Sequence, residues 1–455
     1  MKQGIVATLF VAIGVAGMTS GASAQSLEQA LVSTYLTNPQ LEAQRAALRA
    51  TDELVPQALS GWRPTVAAEG AAIYNDTDRA NTDDGDKFTT LQSSLAVDQE
   101  LYSGGETVAN TRRAERLVRV ERARLMVVEQ DVLLQGVTVY TDLLAARAVL
   151  DFANQNVDRL TRQLQATQDR FEVGEVTRTD VAQADARLSG SIADRVEAEG
   201  AVAAAVAAYR RVINQEPAGL VVPPPLNLLP ASEDEAQLLA EDLNPNIAAA
   251  QYNVAAARAD VDVAESSLLP RLSVRGELAY ARDPTEVLDW RRDASIGANL
   301  SVPLYQGGGE YARVRQTKQT VRQRRDDLED TLRAVRDEVT TAWEALVTAT
   351  SRIESIADQV RANEIAVEGS RQEALVGQRT TLDVLDLESD LFQSQVDLVQ
   401  ARRDQIVASY RLKSAVGQLT VGGIDLQVQP YDGEAYYDHT RNRWVGLGDS
   451  PDVDR

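Results

Sequence analysis

The amino-acid sequence predicts an internally duplicated α+β protein in which long helices continue from membrane-spanning strands. Three observations support this fold class. They are a repeat of about 200 residues, two long stretches without proline, and four segments in which apolar and polar residues alternate. Four such strands cannot close a barrel alone, and open strand edges are not tolerated in hydrocarbon. The fold class therefore requires several copies of the chain to assemble.

The duplication is visible as landmarks that recur at nearly constant spacing. Asn38-Pro39 recurs 206 positions later as Asn244-Pro245. Four landmarks recur 203 positions later: Tyr102-Ser103-Gly104-Gly105 as Tyr305-Gln306-Gly307-Gly308, Tyr140 as Trp343, Gly174 as Gly377, and Asp180-Val181 as Asp383-Val384. Such spacing indicates that one structural unit was copied, with residues 25–216 as the first copy and 231–421 as the second.

Three segments lie outside the copies. Residues 1–24 combine Lys2, an apolar run and the small residues Ala22-Ser23-Ala24, which is the pattern of a secretory signal peptide cleaved after Ala24. Residues 217–230 contain five prolines and predict a stiff linker. Residues 422–455 form an acidic tail that we expect to be partly disordered.

Composition excludes several classes of function. The chain has no cysteine, so disulfides and thiolate metal sites are excluded, and its single histidine, His439, leaves little room for histidine chemistry. A net charge of -22 without a basic run argues against nucleic-acid binding. The sequence shows no catalytic constellation, metal-ligand spacing or phosphate-binding loop. We therefore expect neither an enzyme nor a cofactor.

Continuous helix is predicted for residues 106–172 and 310–376. Each stretch lacks proline, contains one glycine, and is rich in good helix formers. A helix of this length would reach roughly 100 Å, far more than an ordinary globular domain needs. Shorter helical segments flank each long one, at 26–60, 178–215, 232–267 and 381–417. Taken alone, the helices are equally typical of a soluble coiled-coil protein.

Four strands are predicted between the helices, at 62–75, 88–102, 270–282 and 292–305. In the third strand the alternation is regular: Leu272, Val274, Gly276, Leu278 and Tyr280 lie on one face, and Arg271, Ser273, Arg275, Glu277 and Ala279 on the other. One apolar and one polar face on strands this long is the pattern of a transmembrane barrel. A half-buried hairpin in a soluble protein would show the same alternation. No later segment is apolar for the ~18 residues that a helical span requires.

Aromatic residues favour the membrane alternative because they cluster at both ends of the strands. The helix-proximal ends carry Trp62, Tyr102 and Tyr305, and the distal ends carry Tyr74, Phe88, Tyr280 and Trp290. Two girdles of this kind fit two membrane interfaces. The distal connections, 76–87 and 283–290, are polar. The first contains Asp76, Asp78, Asp83, Asp84 and Asp86, whose spacing matches no EF-hand, so we interpret it as a solvated loop rather than a calcium site.

Four strands from each chain leave the oligomeric state open, since a dimer, trimer or tetramer would give eight, twelve or sixteen strands. Over essentially the whole mature chain, however, the sequence resembles the TolC-type outer-membrane efflux and secretion family. The resemblance is carried by the duplicated Asn-Pro, by the Leu-Tyr-x-Gly-Gly strand-to-helix turns with Gly104, Gly105, Gly307 and Gly308, and by the helical turns 171–181 and 376–386.

This resemblance implies a homotrimer with a 12-stranded barrel in the outer membrane and a helical tunnel in the periplasm. It further implies a passive duct, closed at its tip and opened by a periplasmic adaptor with an inner-membrane ABC or proton-driven pump. Multidrug efflux and type I protein secretion both remain open. The alternative is a periplasmic coiled-coil scaffold or adaptor without a barrel.

The resemblance also assigns gating residues. In the family, aspartates after the second-copy turn ring the narrow entrance, and these positions are Asp383 and Asp386 here. Asp180 corresponds to the aspartate of the first copy, and Arg379 to an arginine in the network that holds the tip closed. A tyrosine of that network falls on Ala374, so one closing contact is absent or supplied elsewhere.

These positions also allow simpler interpretations. Asp180 and Asp383 each follow a threonine at the spacing of a capping box, so helix capping and pore electrostatics are both possible and compatible. Asp386 corresponds to Gln183 in the first copy, so the duplication does not require a carboxylate there, and the pore role is favoured. Gly174 and Gly377 either mark adaptor docking sites or simply end their helices.

Overall fold

A computed structural model describes residues 25–77, 86–224, 226, 229–285 and 288–448. The predicted signal peptide lies outside the described residues. So do part of both distal strand connections, part of the proline-rich linker and the last seven positions. Of the five aspartates considered as calcium ligands, Asp78, Asp83 and Asp84 lie outside as well.

Both copies have the same order of elements: helices, two strands, a long helix and a shorter helix. The first copy contains α1 (Leu27–Thr37), α2 (Pro39–Asp52), α3 (Leu54–Leu59), a 3-10 turn (Ser60–Trp62), β1 (Thr65–Thr77), β2 (Asp86–Ser103), α4 (Glu106–Glu172) and α5 (Arg178–Ile213). The second contains α6 (Glu233–Leu243), α7 (Pro245–Ser266), β3 (Arg271–Thr285), β4 (Leu288–Ser301), α8 (Gly309–Leu375) and α9 (Thr381–Ala415), and α10 (Ala435–Thr440) follows.

The duplicated Asn-Pro pair starts a helix in both copies. The side chain of Asn38 accepts a hydrogen bond from the Gln40 amide at 2.9 Å, and Asn244 does the same for Asn246 at 2.9 Å. The proline that follows each asparagine occupies the first helical position, where its missing N–H costs nothing. Both caps divide a segment predicted as helical, 26–60 or 232–267, into separate helices.

The four strands form one antiparallel sheet in the order β1-β2-β3-β4. Each copy contributes one hairpin, and the two hairpins are joined by the β2–β3 pairing, in which Val97 faces Gly276. The strands lie within a few residues of their predicted bounds. The largest difference is β4, which ends at Ser301 rather than 305, because Pro303 has no N–H to continue the ladder. One edge of β1 and one edge of β4 have no partner strand among the described residues.

The long helices α4 and α8 have 67 residues each, or about 100 Å of helix. One window of α4 is long and apolar enough to cross a membrane by length and composition, with a mean hydropathy of 1.3. However, α4 packs against α2, α5, α7 and α9, so it is a core helix of the helical domain. Its middle turns supply Leu133, Tyr140 and Leu143 to the largest hydrophobic cluster.

The linker and the tail both pack against this core. The Tyr140 hydroxyl lies 2.7 Å from the Val221 carbonyl oxygen and accepts a hydrogen bond from the Val221 N–H at 3.0 Å. In the tail, the Tyr431 N–H donates to the Tyr35 hydroxyl at 2.8 Å, and the Arg45 guanidinium lies within 5.0 Å of both tyrosine rings. The acidic tail therefore packs on the core at Tyr431, although its composition suggested weak order, and its described residues continue to Gly448.

Candidate functional site at the helical tip

Two hairpin turns form the end of the helical domain farthest from the sheet. The α4–α5 turn contains Gly174 and the α8–α9 turn contains Gly377, with φ angles of 82° and 76°. Each glycine N–H bonds back to its helix, at 3.0 Å to Phe171 O and 3.2 Å to Ala374 O. A left-handed glycine that closes a helix is sufficient reason for both residues. Val173 and Val376, which immediately precede these glycines, are exposed at the tip.

Asp180 and Asp383 complete capping boxes at the starts of α5 and α9. Asp383 accepts hydrogen bonds from the backbone N–H and the hydroxyl of Thr380, at 3.0 and 2.8 Å. Asp180 has the same contacts with Thr177, both at 2.8 Å. The bonds from Thr380, first from its hydroxyl and then from its backbone, lower the pKa of Asp383, which keeps this exposed carboxylate charged. Asp180 and Asp383 thus cap their helices, and the carboxylate of Asp383 still carries its charge at the surface.

Asp386 makes a contact that the sequence did not predict. Its carboxylate accepts a hydrogen bond from the Arg187 guanidinium at 2.5 Å, which ties α9 of the second copy to α5 of the first. Comparing the copies would have given a hint, because the position matching Arg187 carries the opposite charge, Asp390. Both side chains of the pair are about half exposed, so the tie is weak and breakable.

Within the protomer, Arg379 pairs with a residue of its own turn. Its Nε donates to Glu373 at 2.9 Å, across the α8–α9 turn. The first copy has a similar tie with the charges reversed in order, since Arg170 Nε donates to Glu175 at 3.1 Å. Ala374, which stands where the family's tyrosine falls, is buried and offers no polar contact. Arg187 therefore forms an ion pair between the two hairpins beside the predicted gate residues.

A buried charge cluster above the turns was also missed. Glu388 on α9 is only 2% exposed and accepts two hydrogen bonds from Arg371 on α8, at 2.7 and 3.2 Å. Arg159 on α4 belongs to the same cluster: burial lowers its pKa, and the charge of Glu388 opposes that shift. Beside these charges, Leu160, Ala184 and Leu385 form a small apolar contact between α4, α5 and α9. Near its start, α9 is thus held to the first hairpin by this apolar contact, by the charge cluster and by the Arg187–Asp386 pair.

The strand-to-helix turns connect this helical domain to the sheet. Gly104, Gly105, Gly307 and Gly308 all adopt positive φ, between 66° and 84°. The second glycine of each pair is the N-cap of the long helix that follows. Such backbone favours glycine, because a Cβ in the left-handed region is strained. The four residues therefore set the direction in which each long helix leaves its strand.

Replacing Gly104 by alanine is expected to destabilise the protein by about 1 to 2 kcal/mol more than replacing Gly307 by alanine. Both positions have the same strained φ, but a Cβ on Gly104 would lie 2.6 Å from the Ser266 carbonyl oxygen, whereas nothing lies within 4 Å at Gly307. Thermal unfolding of the two variants in detergent measures the difference. Equal midpoints would contradict the close approach of α7 to this turn.

Comparison with known proteins agrees with this architecture. The family model described as "Outer membrane efflux protein" matches residues 30–215 and 238–418, one match in each copy. The outer membrane efflux protein BepC of Brucella suis is 34% identical over 445 residues, covering 97% of this chain and 96% of that protein. The outer membrane protein TolC of Vibrio cholerae is 27% identical over 421 residues, covering 90% and 95%.

Among solved structures, the CmeC outer membrane channel of Campylobacter jejuni superimposes with a TM-score of 0.79 at 16% identity, covering 91% of this chain and 89% of that one. The predicted resemblance is therefore confirmed, and an outer-membrane location decides against a periplasmic scaffold. The chain belongs to the TolC-type outer membrane efflux protein family and is a protein of the outer membrane.

Proposed function

We propose that three copies of this chain form one channel-tunnel, with a 12-stranded barrel in the outer membrane and a helical tunnel in the periplasm. The observation that carries this proposal is a four-stranded sheet with no partner strand at its two edges among the described residues, whose strands lead into helices of 67 residues. Unpaired strand edges in hydrocarbon cost several kcal/mol for each backbone group. Pairing β4 of one protomer with β1 of the next removes every free edge.

In this proposal the assembly is a passive exit duct of a tripartite export system. Twelve strands leave a passage, whereas eight would be nearly filled by side chains. A periplasmic adaptor and an inner-membrane ABC or proton-driven pump supply the energy. The exposed Val173-Gly174 and Val376-Gly377 turns are the adaptor's docking points, because they present apolar groups at the tip. The names of BepC and of the matching family model, which both refer to efflux, support this function.

The gate of the duct lies at the tip in this proposal. Three copies of Asp383 and Asp386 surround the axis as a cation-attracting ring, with Asp180 and Arg379 close by. The lowered pKa of Asp383 supports the ring, because that carboxylate stays ionised. The Arg187–Asp386 ion pair keeps α9 against the first hairpin. Opening moves α9 away from α5, which breaks this pair and the small apolar contact above it.

The proposal is tested by single-channel recording in planar bilayers, after heat-modifiable mobility has shown a detergent-resistant oligomer. Replacing Asp383 and Asp386 together by alanine is expected to raise the concentration of multivalent cation needed for half block several-fold, because the ring loses its charge. An unchanged block in the double variant contradicts the ring. Failure to form any conducting oligomer contradicts the channel.

Asp386→Ala also removes the partner of Arg187, so the Arg187–Asp386 ion pair needs its own test. Arg187→Gln is expected to increase the open population two- to fivefold, since an exposed ion pair contributes about 0.5 to 1 kcal/mol. The matched control is Arg170→Gln, which breaks a comparable exposed pair within the α4–α5 turn and should leave gating unchanged. If the two variants change the open population equally, the Arg187–Asp386 pair does not hold the two hairpins together.

A further inference from the structure

The last described part of the tail carries an exposed apolar cluster. Residues 441–448, here called the tail tip, have the sequence RNRWVGLG, with two arginines and no acidic residue. Trp444, Val445 and Leu447 are 66, 86 and 106% exposed. Three large apolar side chains exposed together on an eight-residue segment need an explanation other than packing within the protomer.

Contacts with α4 show the direction in which the tail runs. Glu434 pairs with Arg122 at 2.6 Å, and Arg441 then pairs with Glu115 at 3.2 Å. Between them, Tyr437 packs on the apolar cluster around Val118. Because α4 begins at Glu106 directly after β2, falling residue numbers along α4 mean a climb toward the sheet. The step from Arg122 to Glu115 is about 10 Å of that climb.

The tail tip contacts a residue that lies just before a strand. The Arg63 Nη1 donates to the Arg443 carbonyl oxygen at 2.8 Å, and the Arg63 guanidinium lies 4.9 Å from the centre of the Trp444 ring. Strand β1 begins two positions after Arg63, at Thr65. Trp62, which immediately precedes Arg63, is also exposed. Arg63, Arg443 and Trp444 therefore meet where the sheet joins the helical domain.

We propose that the tail tip is a membrane anchor that inserts Trp444, Val445 and Leu447 into the phospholipid leaflet on the periplasmic side of the outer membrane. The inference rests on the proposed barrel, because β1 enters the membrane beside Arg63, which the tail tip contacts. Tryptophan prefers the headgroup level, and arginines beside it bind lipid phosphates. A segment that lies on the membrane surface rather than spanning it needs this combination of apolar and basic groups.

The phospholipid surface fits better than a second copy of the chain. The guanidinium of Arg63 lies over Trp444, that of Arg443 lies against Val445, and the tip has no carboxylate of its own. In addition, the tip contacts Arg63, two positions before β1, and the whole described length of β1 is exposed or nearly so in the protomer. A patch that adjoins the start of a membrane strand lies at the depth of the lipid headgroups.

The absence of cysteine allows a direct test. Single-cysteine variants Leu447→Cys, Asp438→Cys and Leu278→Cys are labelled with a nitroxide and reconstituted into vesicles of phosphatidylethanolamine and phosphatidylglycerol. Collision rates with oxygen, which concentrates in lipid, and with a water-soluble nickel chelate then report the depth of each label. Asp438 is the matched control, because it is exposed on α10 of the same tail. Leu278 lies on the apolar face of β3 and reports the barrel itself.

A ratio of oxygen to nickel collisions several-fold higher at residue 447 than at residue 438 is the expected result. A water-like ratio at residue 447 with a lipid-like ratio at residue 278 overturns the anchor and leaves the barrel intact. Low collision rates with both reagents at residue 447 also overturn the anchor, because the side chain is then packed against protein. A water-like ratio at residue 278 overturns the barrel, and the anchor with it. Unchanged heat-modifiable mobility confirms that each variant is assembled.

Discussion

Replacing Arg371 by methionine is expected to destabilise the α8–α9 hairpin by about 3 kcal/mol, because it leaves the buried Glu388 carboxylate without its donor. Glu388 Oε1 accepts both hydrogen bonds from Arg371, and Oε2 has no hydrogen-bond partner among the described residues. The cost is at the lower end of the usual range for a buried pair, since Arg371 itself is partly exposed and Arg159 remains close.

Amide hydrogen exchange of residues 360–395 measures this loss locally, at the hairpin that carries the proposed gate. The matched control is Gln168→Met at the corresponding position of α4, where the side chain is exposed and the change should be nearly neutral. Replacing Arg371 and Glu388 together by methionine should restore protection, since an apolar pair needs no compensation. If the amide hydrogens of residues 360–395 exchange at the same rate in the Arg371→Met and Gln168→Met variants, Glu388 is not a buried charge.

Replacing Asp52 by asparagine is expected to stabilise the protein above neutral pH and to leave it unchanged in acid. Asp52 ends α2, is 1% exposed, and neither carboxylate oxygen has a hydrogen-bond partner among the described residues. Burial raises its pKa from 3.8 to about 7, with Arg122 opposing and Glu53 adding to the shift. A gap of this size corresponds to a penalty on the order of 4 kcal/mol when the group is ionised.

The pH dependence of this effect follows from the raised pKa of Asp52. A carboxyl whose pKa is higher in the folded protein holds its proton more tightly there, so the penalty is absent below 3.8, grows up to about 7 and is complete above that. Asparagine cannot ionise and avoids the penalty. Thermal unfolding at about pH 4 and about pH 8.5 should therefore show a gain only at the higher pH. A gain of equal size at both values would mean that ionisation of Asp52 is not the cause.

Features with local signals were predictable from the sequence. Residues 106–172 form the predicted helix α4, because the absence of proline and the high helix propensity act within the segment itself. Asn38 and Asn244 cap helices through bonds to residues two positions away. The threonine-to-aspartate spacing likewise predicted both capping boxes, which need only one turn of backbone to form.

Contacts between distant elements were not predictable in this way. The Arg187–Asp386 pair joins residues 199 positions apart, and its geometry depends on how two helical hairpins pack. The packing of the tail was missed for the same reason. Its acidic composition suggested weak order, but Tyr431 bonds to Tyr35 on α1, and Tyr437 packs beside Val118 on α4. Composition reports on average solubility and not on particular complementary surfaces.

The β2–β3 pairing has a consequence for biogenesis. It joins strands separated by ~180 residues, with the whole of α4 and α5 between them. During export, the first hairpin must wait until nearly two thirds of the chain has crossed the inner membrane before its neighbouring strand arrives. Until then its apolar face and both of its edges are open to aggregation. We expect the newly exported chain to depend on periplasmic chaperones that shield β1 and β2 during this interval.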